Sequence, residues 1–173
     1  MTRTLIRDIP QHIGQQVTIS GWLHKKRLLG GLNFLTVRDR SGLAQNLIDN
    51  KDEIEKLRGM QIGTVVRFTG TVVADERAPG GAELHDVTVE VLTPVTEEPP
   101  IEIDKPLSHK SENLDTLFEH RVLGLRNVQE QKIFKIRASL VRELRNFLGE
   151  NEFIEIDTPK LLGAATEGGA EVF

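Results

Sequence analysis

The sequence predicts a small, mainly β barrel domain, then a proline-rich linker, then the opening of an α+β segment. Three observations carry that reading. Short runs of alternating apolar and polar residues fill the first 93 positions. Four of the seven prolines (Pro94, Pro99, Pro100, Pro106) then crowd together. From about Val128 the apolar spacing changes from that of a strand to that of a helix.

The elements follow in order. Val17-Thr18-Ile19-Ser20-Gly21-Trp22-Leu23 alternates, and the Gly30-Gly31 turn leads into Leu32-Asn33-Phe34-Leu35-Thr36-Val37. Ser41-Gly42 turns the chain again, into Leu43 to Ile48. Lys51 to Met60 reads as a short helix with Ile54 and Leu57 on one face. Two more strands, Thr64 to Val73 and Glu83 to Leu92, flank a Pro79-Gly80-Gly81 loop. Three strands, a short helix and two strands make the layout of an OB-fold, a five-stranded Greek-key barrel. It is assigned to residues 1–93.

Residues 94–111 show no sustained period and read as a linker or an extended hinge crossing. Residues 112–173 read as the start of a second domain. Within it Val128 to Glu150 is a helix, with Ile133, Ile136, Leu140, Val141, Leu144, Phe147 and Leu148 in one stripe and Gly149 and Asn151 ending it. Phe153-Ile154-Glu155-Ile156-Asp157 reads as a strand stopped by Thr158-Pro159, and LLGAATEGGAEVF as a loop. One helix and one strand cannot cover their own apolar faces. A fragment, or a need for a partner chain, is therefore expected.

Composition excludes several classes. The chain has no cysteine, which removes disulfides and thiolate metal sites and favours a cytoplasmic setting. No apolar run nears the ~18 residues of a membrane span, and MTRTLIRDIP lacks the apolar core of a signal peptide. No membrane partner is expected. The net charge of −4 argues against coating nucleic acid indiscriminately. Residues 1–40 nevertheless hold seven Lys/Arg against two acids, a local +5 that leaves −9 for the remainder. A basic front on an acidic body suits gripping a phosphate backbone with one face.

Few residues carry chemistry. The alternation of β residues puts Leu35 and Val37 on one face, and Phe34 on the other with Thr36 and Arg38. Facing out, Phe34 is a stacking platform for an unpaired base; otherwise it packs beneath a loop. Lys25, Lys26 and Arg27 enter the first loop, either as phosphate contacts or as a solvated charge run. Gln45 has the donor and acceptor needed to read a base edge, but the register of its strand is ambiguous. Glu167, beside Gly168-Gly169, suits a cationic amine or is simply a surface acid. The five histidines lack metal-ligand spacing, so no metal site is expected. There is no phosphate-binding P-loop, dinucleotide fingerprint or nucleophile elbow.

Taken together, GWLHKKRLLGGLNFLTVRDRSGLAQ resembles the anticodon-binding barrel of the class IIb aminoacyl-tRNA synthetases, those for aspartate, asparagine and lysine. LFEHRVLGLRN continues the likeness, and FIEIDTPKLLGAATEGGAEVF resembles class II motif 1 running into the loop over the active site. ATEGGAEVF is similar to the aspartyl-tRNA synthetases rather than the asparaginyl ones, and the APGG loop to their archaeal-type subgroup. The resemblance implies an enzyme that uses ATP and Mg²⁺ to join L-aspartate to tRNA(Asp), working as a homodimer. It implies that Phe34 stacks on the middle anticodon base, Gln45 hydrogen-bonds it and Arg27 contacts the anticodon loop. Pro159 would lie at the dimer interface and Glu167 would bind aspartate. Leu28 departs from the family, which usually has an acid after the arginine. His24 and Pro79 stand where relatives that accept both tRNA(Asp) and tRNA(Asn) tend to have His and Pro, so a nondiscriminating enzyme is expected. Motifs 2 and 3 lie outside the sequence, so this stretch alone is expected to be inactive in adenylation. The alternatives are a freestanding OB-fold module that binds tRNA or single strands without catalysis, and an asparaginyl-tRNA synthetase fragment.

Overall fold

The computed structural model describes residues 3–28, 33–105 and 114–158. The chain forms two compact units, Met1–Gln131 and Lys132–Phe173. In the first, β1 (Gln16–Leu28), β2 (Asn33–Arg38), β3 (Leu43–Ile48), β4 (Val65–Ala74) and β5 (Ala82–Thr93) close a barrel in the order β1-β2-β3-β5-β4. Neighbours are antiparallel except β3 and β5, which run parallel with Asn46 opposite Leu84. This is the expected OB-fold.

β1 is the longest strand because it serves two neighbours. Gln16 to Trp22 pair with β4, and Trp22 to Leu28 with β2. The strand must coil sharply between them, and Gly21 stands at the turn. A Cβ there would be driven into the Arg38 carbonyl, so the close approach requires glycine. Just beyond, the register shifts between Leu23 and Lys25, leaving His24 as the extra residue of a β-bulge.

Inside the barrel Ile19, Leu23, Leu35, Val37, Val66, Phe68 and Leu84 are fully buried. Each such side chain contributes roughly 1.5–3 kcal/mol of transfer free energy. Asn46 is buried among them, and its Nδ2 donates to the carbonyls of Leu35 (2.9 Å) and Ala44 (3.0 Å), beside the parallel closure.

The barrel carries an element that the sequence reading missed. Residues Ile6–His12 form a 3₁₀ helix whose Ile6 and Ile9, three apart, both enter the core. Asp39, at the end of β2, fastens it. Its Oδ2 accepts from the Ile6 N–H (3.1 Å), and its Oδ1 from the N–H groups of Ser41 (2.6 Å) and Gly42 (3.1 Å) and the Ser41 hydroxyl (2.6 Å). Burial alone would push the Asp39 carboxyl up; these hydrogen bonds outweigh it and hold the group below its ordinary range.

α1 (Lys51–Glu55) is shorter than the Lys51–Met60 span expected. The Asn50 side chain caps it by accepting from the Asp52 N–H, and turns follow it. Glu53 ties it to the barrel by accepting from the Val89 N–H at 2.6 Å.

After β5 the chain lies against the barrel rather than running free. The Val95 N–H donates to Thr64 Oγ1 (3.0 Å), and the Val95 carbonyl accepts from the Gln61 N–H (2.7 Å). Ile101 and Ile103 are buried, Ile101 forming a small second core with Leu117 of α2 (Leu114–Glu119). After α3 (Arg121–Gly124), Asn127 starts α4 (Val128–Glu150) by accepting from the Gln129 N–H.

α4 spans the range read from the sequence, and the stripe from Ile133 to Leu148 is exposed. Its terminator is a Schellman turn, not Gly149. Glu152 takes a left-handed φ of 65°, the Glu152 N–H reaches the Gly149 carbonyl and the Phe153 N–H reaches that of Leu148. The strand expected at Phe153 to Asp157 is absent. These residues have no ladder partner among the described ones, and an isolated segment cannot satisfy its backbone as a strand. No helix among the described residues is long and apolar enough to cross a membrane.

The Asp39 network makes an acid-sensitive clasp. Because the folded carboxyl titrates below its unfolded value, its stabilisation is complete above about pH 4 and is lost as pH falls through the lower folded value. Asp39→Asn should flatten that part of the acid unfolding curve, and Asp39→Ala should cost about 1–3 kcal/mol in urea melts by stranding the buried Ile6 N–H. An Asp39→Ala curve that superimposes on the wild type would remove the clasp.

Candidate nucleic-acid interface

Residues paired across neighbouring strands share a face, so the barrel register assembles the site. One row across the outer face is Arg27 on β1, Phe34 on β2 and Leu47 on β3. The next is Lys25, Thr36 and Gln45. A third is Trp22, Arg38 and Leu43. The alternating burial of β2, with Leu35 and Val37 sealed inside, leaves Phe34 and Thr36 half-buried on the outside.

The bulge at His24 decides which cations reach this face. Ile19, Gly21 and Leu23 point inward; unbroken alternation would carry Lys25 and Arg27 inward too. The extra residue reverses the sense, so Lys25 and Arg27 turn outward opposite Thr36 and Phe34. Lys26 turns inward instead, and its Nζ donates to the Met60 carbonyl at the barrel's end. An apolar crevice of about 260 Å³ lies there, lined by Lys26, Leu35, Ile54 and Leu57 among others, on the opposite side of the sheet from Phe34 and Gln45.

Arg38, expected beside Phe34, does another job. Its guanidinium stacks 5.0 Å from the Trp22 ring centroid, and the residue is almost wholly buried. Burial and the nearby charge of Arg126 lower its pKa, with Asp39 pulling the other way. The cation set opposite Phe34 is Arg27, which is exposed.

Gln45 is half-buried and held. Its Nε2 donates to Glu83 Oε2 at 2.7 Å, and Glu83 Oε1 lies 2.8 Å from His85 Nε2. Glu83 is only 4% exposed. The sequence reading missed both Glu83 and His85. A polar Glu-x-His alternation in β5 was visible, but its meaning depends on β5 lying beside β3, a contact between distant parts of the chain.

His24 is 7% exposed, with Nδ1 unpartnered among the described residues. Burial lowers its pKa, as do the charges of Arg38 and Lys25; Asp104 opposes them. Pro79 lies exposed in the turn before β5. Pro159 and Glu167 fall outside the described residues. Among the described residues no group of three or more His, Cys, Asp or Glu is placed to hold a metal ion.

A five-stranded OB barrel with an aromatic, a glutamine and two cations on one outer face has the make-up of a nucleic-acid-binding domain. Residues 17–92 match the family of OB-fold nucleic acid binding domains, and residues 113–173 match the class II tRNA synthetases (D, K and N). Over those two stretches the chain is similar to that synthetase family. It is 40% identical to an aspartate–tRNA(Asp/Asn) ligase of Methanopyrus kandleri over 95% of this chain and 38% of the relative. It is likewise 40% identical to one of Thermus thermophilus, over 99% of this chain and 39% of the relative. Among solved structures it resembles an asparaginyl-tRNA synthetase of Pyrococcus horikoshii, with a TM-score of 0.82 and 29% identity over 98% of this chain and 39% of that one. The chain thus spans about two fifths of the length of the relatives it matches.

The buried imidazole yields a measurable consequence. A base whose folded pKa is lowered binds fewer protons than the unfolded chain, so its contribution is complete above about pH 6.5 and is lost as pH falls below it. Melting temperature should drop between pH 7.5 and 5.5, and His24→Gln should shrink that drop. An equal drop in the variant would mean His24 does not titrate in its buried position.

Proposed function

We propose that this chain is the tRNA-reading part of an aspartate–tRNA ligase, together with the first elements of its catalytic domain. The division is a barrel at 1–93 for the anticodon, a hinge at 94–111 and the opening of the catalytic domain at 112–173. The observation that carries the reading is the row formed by Arg27, Phe34 and Leu47, with Gln45 in the row beside it. Phe34 stacks on the middle anticodon base, Gln45 hydrogen-bonds its edge, and Arg27 pairs with the anticodon-loop backbone. The names of the Methanopyrus and Thermus relatives support aspartate as the amino acid.

The same names, with His24 and Pro79, support charging of both tRNA(Asp) and tRNA(Asn). With His24 almost covered, its influence on the third anticodon base runs through the bulge that aims Lys25 and Arg27. Pro159 belongs to a homodimer interface and Glu167 to the aspartate site. ATP and Mg²⁺ supply the activation chemistry in the whole enzyme. The setting is the cytoplasm, where tRNA is charged.

A short RNA hairpin carrying an aspartate anticodon tests the barrel. Phe34→Ala should weaken binding by about 1–3 kcal/mol, roughly 5- to 150-fold. Arg27→Ala should reduce the slope of log affinity against log salt by about one. Unchanged hairpin affinity in Phe34→Ala would end the anticodon assignment. In the whole enzyme, aminoacylation of tRNA(Asp) transcripts alone would reject the dual specificity.

A further inference from the structure

We infer that the crevice at the α1 end of the barrel is a binding site for a small apolar carboxylic acid. Lys26 holds the carboxylate, and Leu35, Ile54 and Leu57 hold the chain or ring. The crevice lies on the opposite side of the sheet from Phe34 and Gln45, so this site stands or falls apart from the anticodon reading.

The way the chain leaves α1 shapes the space. The helix stops at Glu55, and the segment after it tightens into three-residue turns. The Leu57 N–H donates to the Ile54 carbonyl (3.0 Å), the Arg58 N–H to that of Glu55 (3.0 Å) and the Met60 N–H to that of Leu57 (3.1 Å). Gly59, at a left-handed φ of 74°, turns the chain within this run. Glu53 pins the helix to β5 through the Val89 N–H, so the wall is braced. About 260 Å³ remains between these turns and β1. Leu35 and Leu57 belong to the barrel core, and Ile54 packs against it. The size suits one ring or a short chain, since sites for drug-sized ligands begin near ~300 Å³.

Charge decides the class of ligand. Lys26 Nζ donates to the Met60 carbonyl and has no carboxylate partner among the described residues. An ammonium has three donors, so hydrogen-bonding capacity remains. Arg58, the other cation lining the space, is paired with Glu55 at 2.6 Å. Two cations against one acid leave a single uncompensated positive charge above an apolar floor. An apolar ligand without charge would satisfy the floor alone, and an amine would be repelled. An acid satisfies both, because its carboxylate accepts a charge-assisted hydrogen bond from Lys26 while its carbon chain covers the leucines.

The test titrates the whole chain, methyl-labelled at Leu and Ile, with straight-chain acids from butanoate to octanoate and with octanamide. Octanoate should bind with a Kd on the order of 0.1–1 mM, as expected for about ten non-hydrogen atoms. It should shift the methyl signals of Leu28, Leu35, Ile54 and Leu57 until they saturate. Affinity should rise about fourfold for each methylene that enters the crevice. Octanamide has the same size without the charge and should bind at least roughly tenfold more weakly, the difference made by a hydrogen bond between charged groups. Lys26→Met keeps the apolar stem; it should bring octanoate down to the level of octanamide and leave octanamide itself unchanged. Equal binding of octanoate and octanamide by the wild type overturns the proposal without any variant having to fold. So does an affinity that ignores chain length, or a failure of those methyl signals to saturate. Shifts centred on Phe34 and Gln45 would put the acid on the other face, which overturns it as well.

Discussion

The bulge in β1 sets most of what this barrel presents to its surroundings. A strand that pairs with two neighbours must bend between them, and an inserted residue increases local twist and bends the strand. Here the insertion also exchanges the two faces of the strand. Before it, Ile19 and Leu23 fill the core; after it, Lys26 and Leu28 take the inner side, and Lys25 and Arg27 take the outer. Had alternation continued, Lys25 and Arg27 would both have taken the inner side, away from Phe34, where Lys26 now donates to the Met60 carbonyl. Positive charge beside Phe34 is thus a product of strand geometry more than of local composition.

The rest of the face is built on that strand without relying on loops. Phe34, Thr36 and Gln45 stand on β2 and β3, locked by a register whose inward residues Leu35, Val37, Ala44 and Ile48 are buried. A one-residue slip would reverse every one of them, so the core enforces the outer face. Glu83 comes from β5 and reaches Gln45 only because the barrel closes in parallel between β3 and β5. Closure therefore delivers the acid that accepts from the glutamine amide. It also explains the buried Asn46, whose two donated bonds settle the backbone beside the same seam.

How far the sequence revealed this depended on the range of the interactions involved. The alternation of Leu32 to Val37 and the helical stripe of Val128 to Glu150 are local signals; the structure has β2 at Asn33–Arg38 and α4 at Val128–Glu150. The sense of Phe34 followed from the same alternation. The bulge could not be read that way, because GWLHKKR looks like a strand running into a charged loop, whereas β1 continues to Leu28. The 3₁₀ helix at Ile6 is held by Asp39, 33 residues away, and local propensity says nothing of that bond. Phe153 to Asp157 shows the opposite failure. Its composition favours a strand, but no neighbouring strand is available among the described residues, and β-propensity cannot replace a partner.

Trp22, Arg38 and His24 suggest why one sheet can serve two purposes. Two rows of the outer face, those of Phe34 and of Gln45, hold half-buried side chains and cations. In the third row, Arg38 lies covered over Trp22, with the charge of Arg126 acting on it and that of Asp104 acting on His24. The chain after the barrel is therefore electrically in contact with the same β1–β2 sheet that carries the candidate reading face. His24 stands at the border, in the one position between Trp22 and Leu28 without a partner on β2. A side chain of different size there must alter either the bulge or the packing over it, because a buried site has no free volume to absorb the change. Either response would move Lys25 and Arg27. A buried residue can in this way influence how the exposed ones are presented.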